Sequence, residues 1–143
     1  MTYVNDASEV KGAVKSLLEK HSDLHGLLLQ SVSNWVPEGV SMVKASGRKD
    51  VWAATWNLDI SYAKLLLEPE PVLWNVQSYS QYAEAGTAVV DAIAKWHLGY
   101  DLPMHVILPT VSITPKNVEE GWRKVYRDTA DTEPPWLKYK GWV

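Results

Sequence analysis

Three short polar clusters hold residue types that could recognise a hydroxyl-rich small molecule: Ser33-Asn34-Trp35, Trp56-Asn57 with Asp59, and Ser80-Gln81. An amide presents a donor beside an acceptor and a carboxylate presents two acceptors, so both match vicinal hydroxyls. An indole can cover the apolar face of a sugar ring. Asn34, Asn57 and Asp59 are equally good as helix N-caps, whose preferred residue types are the same, and pattern alone does not separate the two uses.

Catalytic signatures are missing. The chain has no glycine-rich phosphate loop, no Gly-x-Ser-x-Gly elbow, no His-Glu-x-x-His and no calcium loop. His21 and His25 are four residues apart but fall in a polar turn and in the apolar run after it, and His97 and His105 lie on other segments, so no two are set as metal ligands on one helix face. With no cysteine there is no disulfide framework, thiol nucleophile or thiolate zinc site. The reading is therefore no enzyme, no metal and no cofactor. Charge points the same way about partners: 14 Lys and Arg against 17 Asp and Glu give a formal charge of −3, with no basic block to attract nucleic acid or an anionic membrane. Eight Trp and seven Tyr with no Phe give every aromatic ring a polar handle, which suits partly wet surfaces. The start, Met1 to Asp6, has neither the basic nor the apolar region of an export signal, and no apolar run is long enough to span a bilayer.

The elements that must position the clusters follow from periodicity. Asn5 to Lys20 reads as an amphipathic helix with Asp6 and Glu9 in capping-box spacing and Val10, Val14, Leu17 and Leu18 on one side. Leu24 to Gln30 reads as a buried strand. A helix follows from Pro37 to Ser46, with Gly47 as its stop. Asp50 to Trp56 repeats the strand, and Leu58 to Leu67 repeats the helix, ended by Glu68-Pro69-Glu70-Pro71. Val72 to Tyr79 is a third strand, with Val72, Trp74, Val76 and Ser78 on one face and Leu73, Asn75, Gln77 and Tyr79 on the other. A helix from about Tyr82 to Leu98 carries Val89, Val90, Ile93 and Trp96 on one side, with Gly99 at its end. A strand within Met104 to Ile113 and a helix begun by Thr114-Pro115 complete the series, and Thr2-Tyr3-Val4 could add a strand. This alternation predicts an α/β fold of flavodoxin-like or Rossmann-like type, a mostly parallel sheet with helices on both faces. The polar clusters then fall just past the C-terminal ends of parallel strands, where open α/β sheets bind ligands. Residues 1–127 form the expected domain, and 128–143 a surface tail pinned by Trp136, Tyr139 and Trp142.

Segment order also resembles a known family. Ser22-Asp23-Leu24-His25-Gly26-Leu27-Leu28-Leu29, Ser33-Asn34, Ala45-Ser46-Gly47-Arg48-Lys49-Asp50-Val51, and the long run from Asp101 to Val118 are similar to successive motifs of type 1, sugar-type periplasmic binding proteins. The likeness covers roughly Tyr3 to Tyr126 and points to their C-terminal lobe. It implies non-catalytic capture of a sugar, polyol or related solute for an ABC transporter, chemoreceptor or sensor kinase, and a periplasmic location. By that resemblance Ser33-Asn34 takes the place of an Asn-Asp ligand pair, Asn57 that of an Asp, and Ser80, with Gln81 beside it, that of a hinge Gln. The family binds between two lobes and this chain has the length of one. The resemblance also places the apolar side of the Tyr82 to Leu98 helix against the other lobe, so here that helix is expected to fold back on its own sheet or be exchanged in a homodimer. The alternative from another class is an α/β interaction module that binds a partner chain or a second copy without a small ligand. Fold by itself does not exclude chemistry, and turnover abolished by changing Asp59 would revive an enzyme reading.

Overall fold

The computed structural model describes residues 6–32, 34–79, 82–105 and 107–127. The possible Thr2-Tyr3-Val4 strand and the 128–143 tail lie outside them. Helix α1, Ala7–Lys20, begins where the Asp6 carboxylate accepts the Ser8 N–H at 2.8 Å, and it buries Val10, Val14 and Leu18 at intervals of four. The short strand β1, Gly26–Leu28, leads to α2, Trp35–Ala45, which buries Val36, Gly39, Val40 and Val43. Asn34, not Pro37, opens this helix; Pro37 sits in its first turn, where a missing N–H costs no intrahelical bond. Strand β2, Trp52–Trp56, and helix α3, Ile60–Leu66, repeat the unit. Strand β3, Leu73–Tyr79, precedes α4, Tyr82–His97, which ends at Gly99 with φ of 81°, a left-handed conformation that glycine adopts without Cβ strain. The last pair is β4, Thr110–Ile113, and α5, Val118–Tyr126.

The strands lie in the order β1-β2-β3-β4, with β1, β2 and β3 parallel and β4 antiparallel to β3. A mixed α/β architecture with a mostly parallel sheet is as expected from the sequence. On one sheet face Leu27, Leu29, Ala53, Leu73, Val76 and Ile113 join side chains of α1, α2, α3 and α5 in one core. The opposite face bears Leu28, Trp52, Trp56 and Trp74 in solvent.

Three further expectations need correction. The β3 faces do not alternate from end to end, because Ala53 pairs with Leu73 and Ala54 with Asn75, leaving Trp74 as an extra residue. Leu73 and Val76 are consequently both buried, and Trp74, expected beside Val76, is exposed. The strand placed in Met104 to Ile113 is confined to its last four residues. Helix α5 starts one turn later than Thr114-Pro115: Asn117 takes the cap position, its Oδ1 accepting from the Thr114 N–H at 2.7 Å and the Thr114 hydroxyl at 2.9 Å.

Close approach is built into the core. A Cβ on Gly39 would lie 2.8 Å from Leu29 Cδ1, and one on Gly121 would lie 2.5 Å from Ile113 Cγ1. Trp122 and Tyr126 pack ring against ring with centroids 4.2 Å apart. The buried Thr55 hydroxyl finds no hydrogen-bond partner among the described residues. Thr55→Val keeps the shape and removes that desolvated oxygen, so it is expected to stabilise the fold by about 1 kcal/mol in urea unfolding. Loss of stability instead would mean that the hydroxyl is bonded.

Opposite the expected ligand end, Arg48 ties three segments together. Its Nε and Nη2 donate to Asp50 Oδ1 and Oδ2, each at 2.7 Å, while Nη2 also reaches the carbonyls of Ser22 at 3.1 Å and Leu24 at 2.8 Å. His25 Nδ1 approaches Asp50 Oδ2 at 3.1 Å. The Arg48 hydrogen bonds hold the Asp50 carboxyl well below the usual carboxylate range. A depressed pKa contributes stability above the unfolded value of roughly 3.9 and loses it as pH falls through the folded value. Asp50→Asn should therefore be less stable than the parent at pH 7, the gap closing in acid below about pH 4. A gap that is unchanged at acid pH would show that the charge plays no part.

Candidate functional site

The C-terminal ends of β1 and β2 bring two of the three polar clusters onto adjacent strands. Past β1, Asn34 occupies the α2 cap position with φ of −83° and makes no side-chain capping bond, so its exposed amide faces solvent. Trp35 begins the helix and packs, half-buried, against the core. Past β2, Trp56 ends the strand on the open sheet face, and Asn57 follows with φ of 58°, its N–H donating to the Gln77 carbonyl at 2.9 Å. A left-handed residue there suits Asn, which tolerates that conformation better than most residues. Asn57 is thus a backbone pivot with an exposed amide and not a helix cap. Asp59 is a cap: its Oδ1 accepts from the Ser61 N–H at 2.7 Å, the Ser61 hydroxyl at 2.6 Å and the Tyr62 N–H at 3.1 Å. Ser33, Ser80 and Gln81 lie outside the described residues.

A scaffold of residues from distant parts of the chain holds these loops. The buried Ser78 hydroxyl accepts the Leu58 N–H at 3.1 Å, and the Tyr126 hydroxyl donates to the Leu58 carbonyl at 2.6 Å. Both polar groups of Leu58 are thereby satisfied where the chain leaves β2, which fixes the Asn57 pivot from β3 and from α5. Ser31 donates to the Tyr62 hydroxyl at 3.4 Å, a long contact joining the loop after β1 to α3. Ser78 carries a sequence signal, a hydroxyl expected on the same strand face as Val72, Trp74 and Val76; nothing near Tyr126 in sequence points to Leu58, 68 residues away.

The arrangement offers neutral amide and indole groups at the rim of a parallel sheet, suited to hydrogen bonding and ring stacking. Among the described residues no group of three His, Asp or Glu side chains is placed to hold a metal ion, and no helix is long and apolar enough to cross a membrane.

Neither a family model nor a curated protein sequence matches the chain. Solved structures do. An ABC transporter solute binding protein from Agrobacterium vitis, bound with α-D-tagatopyranose, superposes with a TM-score of 0.71 at 17% identity over 88% of this chain and 43% of its own. A second from the same organism, with bound allitol, gives 0.69 at 19% identity over 86% and 43%. An ABC sugar transporter subunit from Rhodobacter sphaeroides gives 0.66 at 20% identity over 81% and 42%. The chain thus spans less than half the length of each of these structures, and what they share with it is the fold. The described fold is similar to about two fifths of each of these three structures.

Proposed function

We propose that the chain binds a small polar solute, a sugar, a polyol or a relative of one, and serves as one lobe of a solute-binding protein in transport or sensing. The observation that carries this reading is the pair of exposed amides, Asn34 and Asn57, with Trp56 between them in sequence and at the strand ends where such sheets take ligands. The solutes bound to the two Agrobacterium vitis proteins, α-D-tagatopyranose and allitol, are of the class these groups would recognise. Asn34 and Asn57 supply hydrogen bonds, Trp56 and Trp35 supply stacking surface, and Ser33, Asp59, Ser80 and Gln81 complete the proposed set. The role is recognition without chemistry.

Tryptophan fluorescence titrated with pentoses, hexoses and polyols tests the proposal, because Trp56 and Trp35 lie at the site. A saturable change with one solute class is expected, in the millimolar range, since one lobe covers only part of a ligand. A flat response across the panel would sink the reading.

A second reading, an interaction module without a small ligand, is favoured by one observation. Val89, Val90, Ile93 and Trp96 of α4 are all exposed, and the helix does not lie back on its own sheet.

A further inference from the structure

We propose that two copies of this chain exchange α4, each helix lying apolar side down on the open sheet face of the other copy. The inference builds on the second reading above; it shares Trp56 with the proposed solute site, and its test needs no solute.

Two apolar surfaces stand apart in one chain. On the sheet, Leu28, Trp52 and Trp74 border a shallow depression of about 410 Å³ floored by Ala53 and Ala54 and rimmed by His25 and Asn75, and Trp56 extends the same face along β2. On the helix, Val89, Val90, Ile93 and Trp96 fall at spacings that place them on one side. Leu28 is 74% exposed, Ile93 61% and Trp96 69%, so neither surface covers the other within the chain. Isolated apolar residues on a surface are ordinary, but a run of this extent marks an interaction site.

Several features select a second copy as the occupant. Each copy holds both halves of the contact, a convex apolar helix and a sheet face, which is the self-complementary arrangement that a two-fold pair requires. The two surfaces expose on the order of 1,000 Å² per copy at the areas typical of such side chains, so a symmetric pair burying both reaches the roughly 1,200–2,000 Å² of a stable interface. Charge does not oppose the contact. The side chains that form the sheet strip, Leu28, Trp52, Trp56 and Trp74, are all uncharged, and on α4 Asp91 pairs with Lys95 at 2.6 Å. His25 at the rim already faces Asp50.

The absence of cysteine allows a clean test. Leu28→Cys and Ile93→Cys, made as separate variants at exposed positions, are mixed and treated with a short thiol-reactive crosslinker. The expected result is a mixed product, one Leu28→Cys chain joined to one Ile93→Cys chain, at least tenfold above either like-with-like product, together with a two-chain mass for the parent in solution. Ile93→Asp should raise the dimer dissociation constant more than tenfold while leaving the far-ultraviolet circular dichroism unchanged. A parent that stays monomeric at several hundred micromolar would overturn the proposal. So would a dominant product between two copies of Ile93→Cys, which would mean helix against helix, or a crosslink within one chain when both cysteines are placed together. None of these readouts depends on added sugar, so the outcome is separable from that of the solute-binding proposal.

Discussion

Gly121→Ala is expected to lower the unfolding free energy by about 2 kcal/mol, although alanine is the better helix former by about 1 kcal/mol. The new Cβ would sit 2.5 Å from Ile113 Cγ1 and 3.0 Å from Cγ2, both bonded directly to the Cβ of a fully buried, β-branched side chain in β4. Neither atom can swing aside without moving the strand or forcing a poor rotamer. Helix α5 must therefore lift from β4, taking with it Trp122, Val125 and the Tyr126 hydroxyl that holds Leu58. Gly39→Ala provides the comparison. Its Cβ meets Leu29 Cδ1 at 2.8 Å, at the far end of a flexible side chain, so about 1 kcal/mol or less is expected. Urea unfolding with an unchanged slope would measure both. A Gly121→Ala protein as stable as its parent would mean that α5 is not seated on β4 as described.

The second large effect concerns binding. Replacing Asn57 with alanine should weaken affinity for whichever sugar or polyol alters the parent's fluorescence by about 1–3 kcal/mol, roughly a fivefold to 150-fold change. Alanine also has to adopt the left-handed backbone at φ of 58°, at a cost to stability of about 1 kcal/mol, so that variant alone confounds two effects. Asn57→Gly separates them, since glycine enters the left-handed region freely and lacks only the amide. It should keep the parent's urea midpoint and lose affinity as the alanine variant does. Full affinity in Asn57→Gly would move the site away from the end of β2, even if Asn57→Ala binds poorly.

The legible part of this fold was whatever local chemistry writes into neighbouring residues. Helices α1, α2 and α3 declared themselves through apolar spacing and acceptor residues at their starts, and Gly47 and Gly99, with φ of 72° and 81°, marked two of the ends. Asn34 and Asn57 stood out because polar residues at the exits of apolar strands are conspicuous. Asn57 served neither as the cap that pattern allowed nor as a plain loop residue, because cap and pivot share residue types. Less legible was anything decided through space. The Met104 and Ile107 stretch looks like strand by composition, but both side chains are exposed and pairing begins only at Thr110, opposite Tyr79. Tyr126 reads as an ordinary aromatic at a helix end, and its bond to Leu58 exists only once four strands have stacked in order.

The extra residue at Trp74 acts as a change of phase. Counting in twos from the buried Leu73 would turn Asn75 and Gln77 inward and leave Ser78 in water. The single insertion reverses this, so that Val76 and Ser78 point to the core and Ser78 can meet the Leu58 N–H. Deleting Trp74 would restore plain alternation with Leu73, Val76 and Ser78 still turned inward, so the support of the loop that carries Asn57 is expected to survive it. Related chains that lack the extra residue, aligned without a gap at this point, would have their inward and outward positions interchanged from Asn75 to Ser78. Such an alignment would make a buried support of the site look like an exposed surface residue.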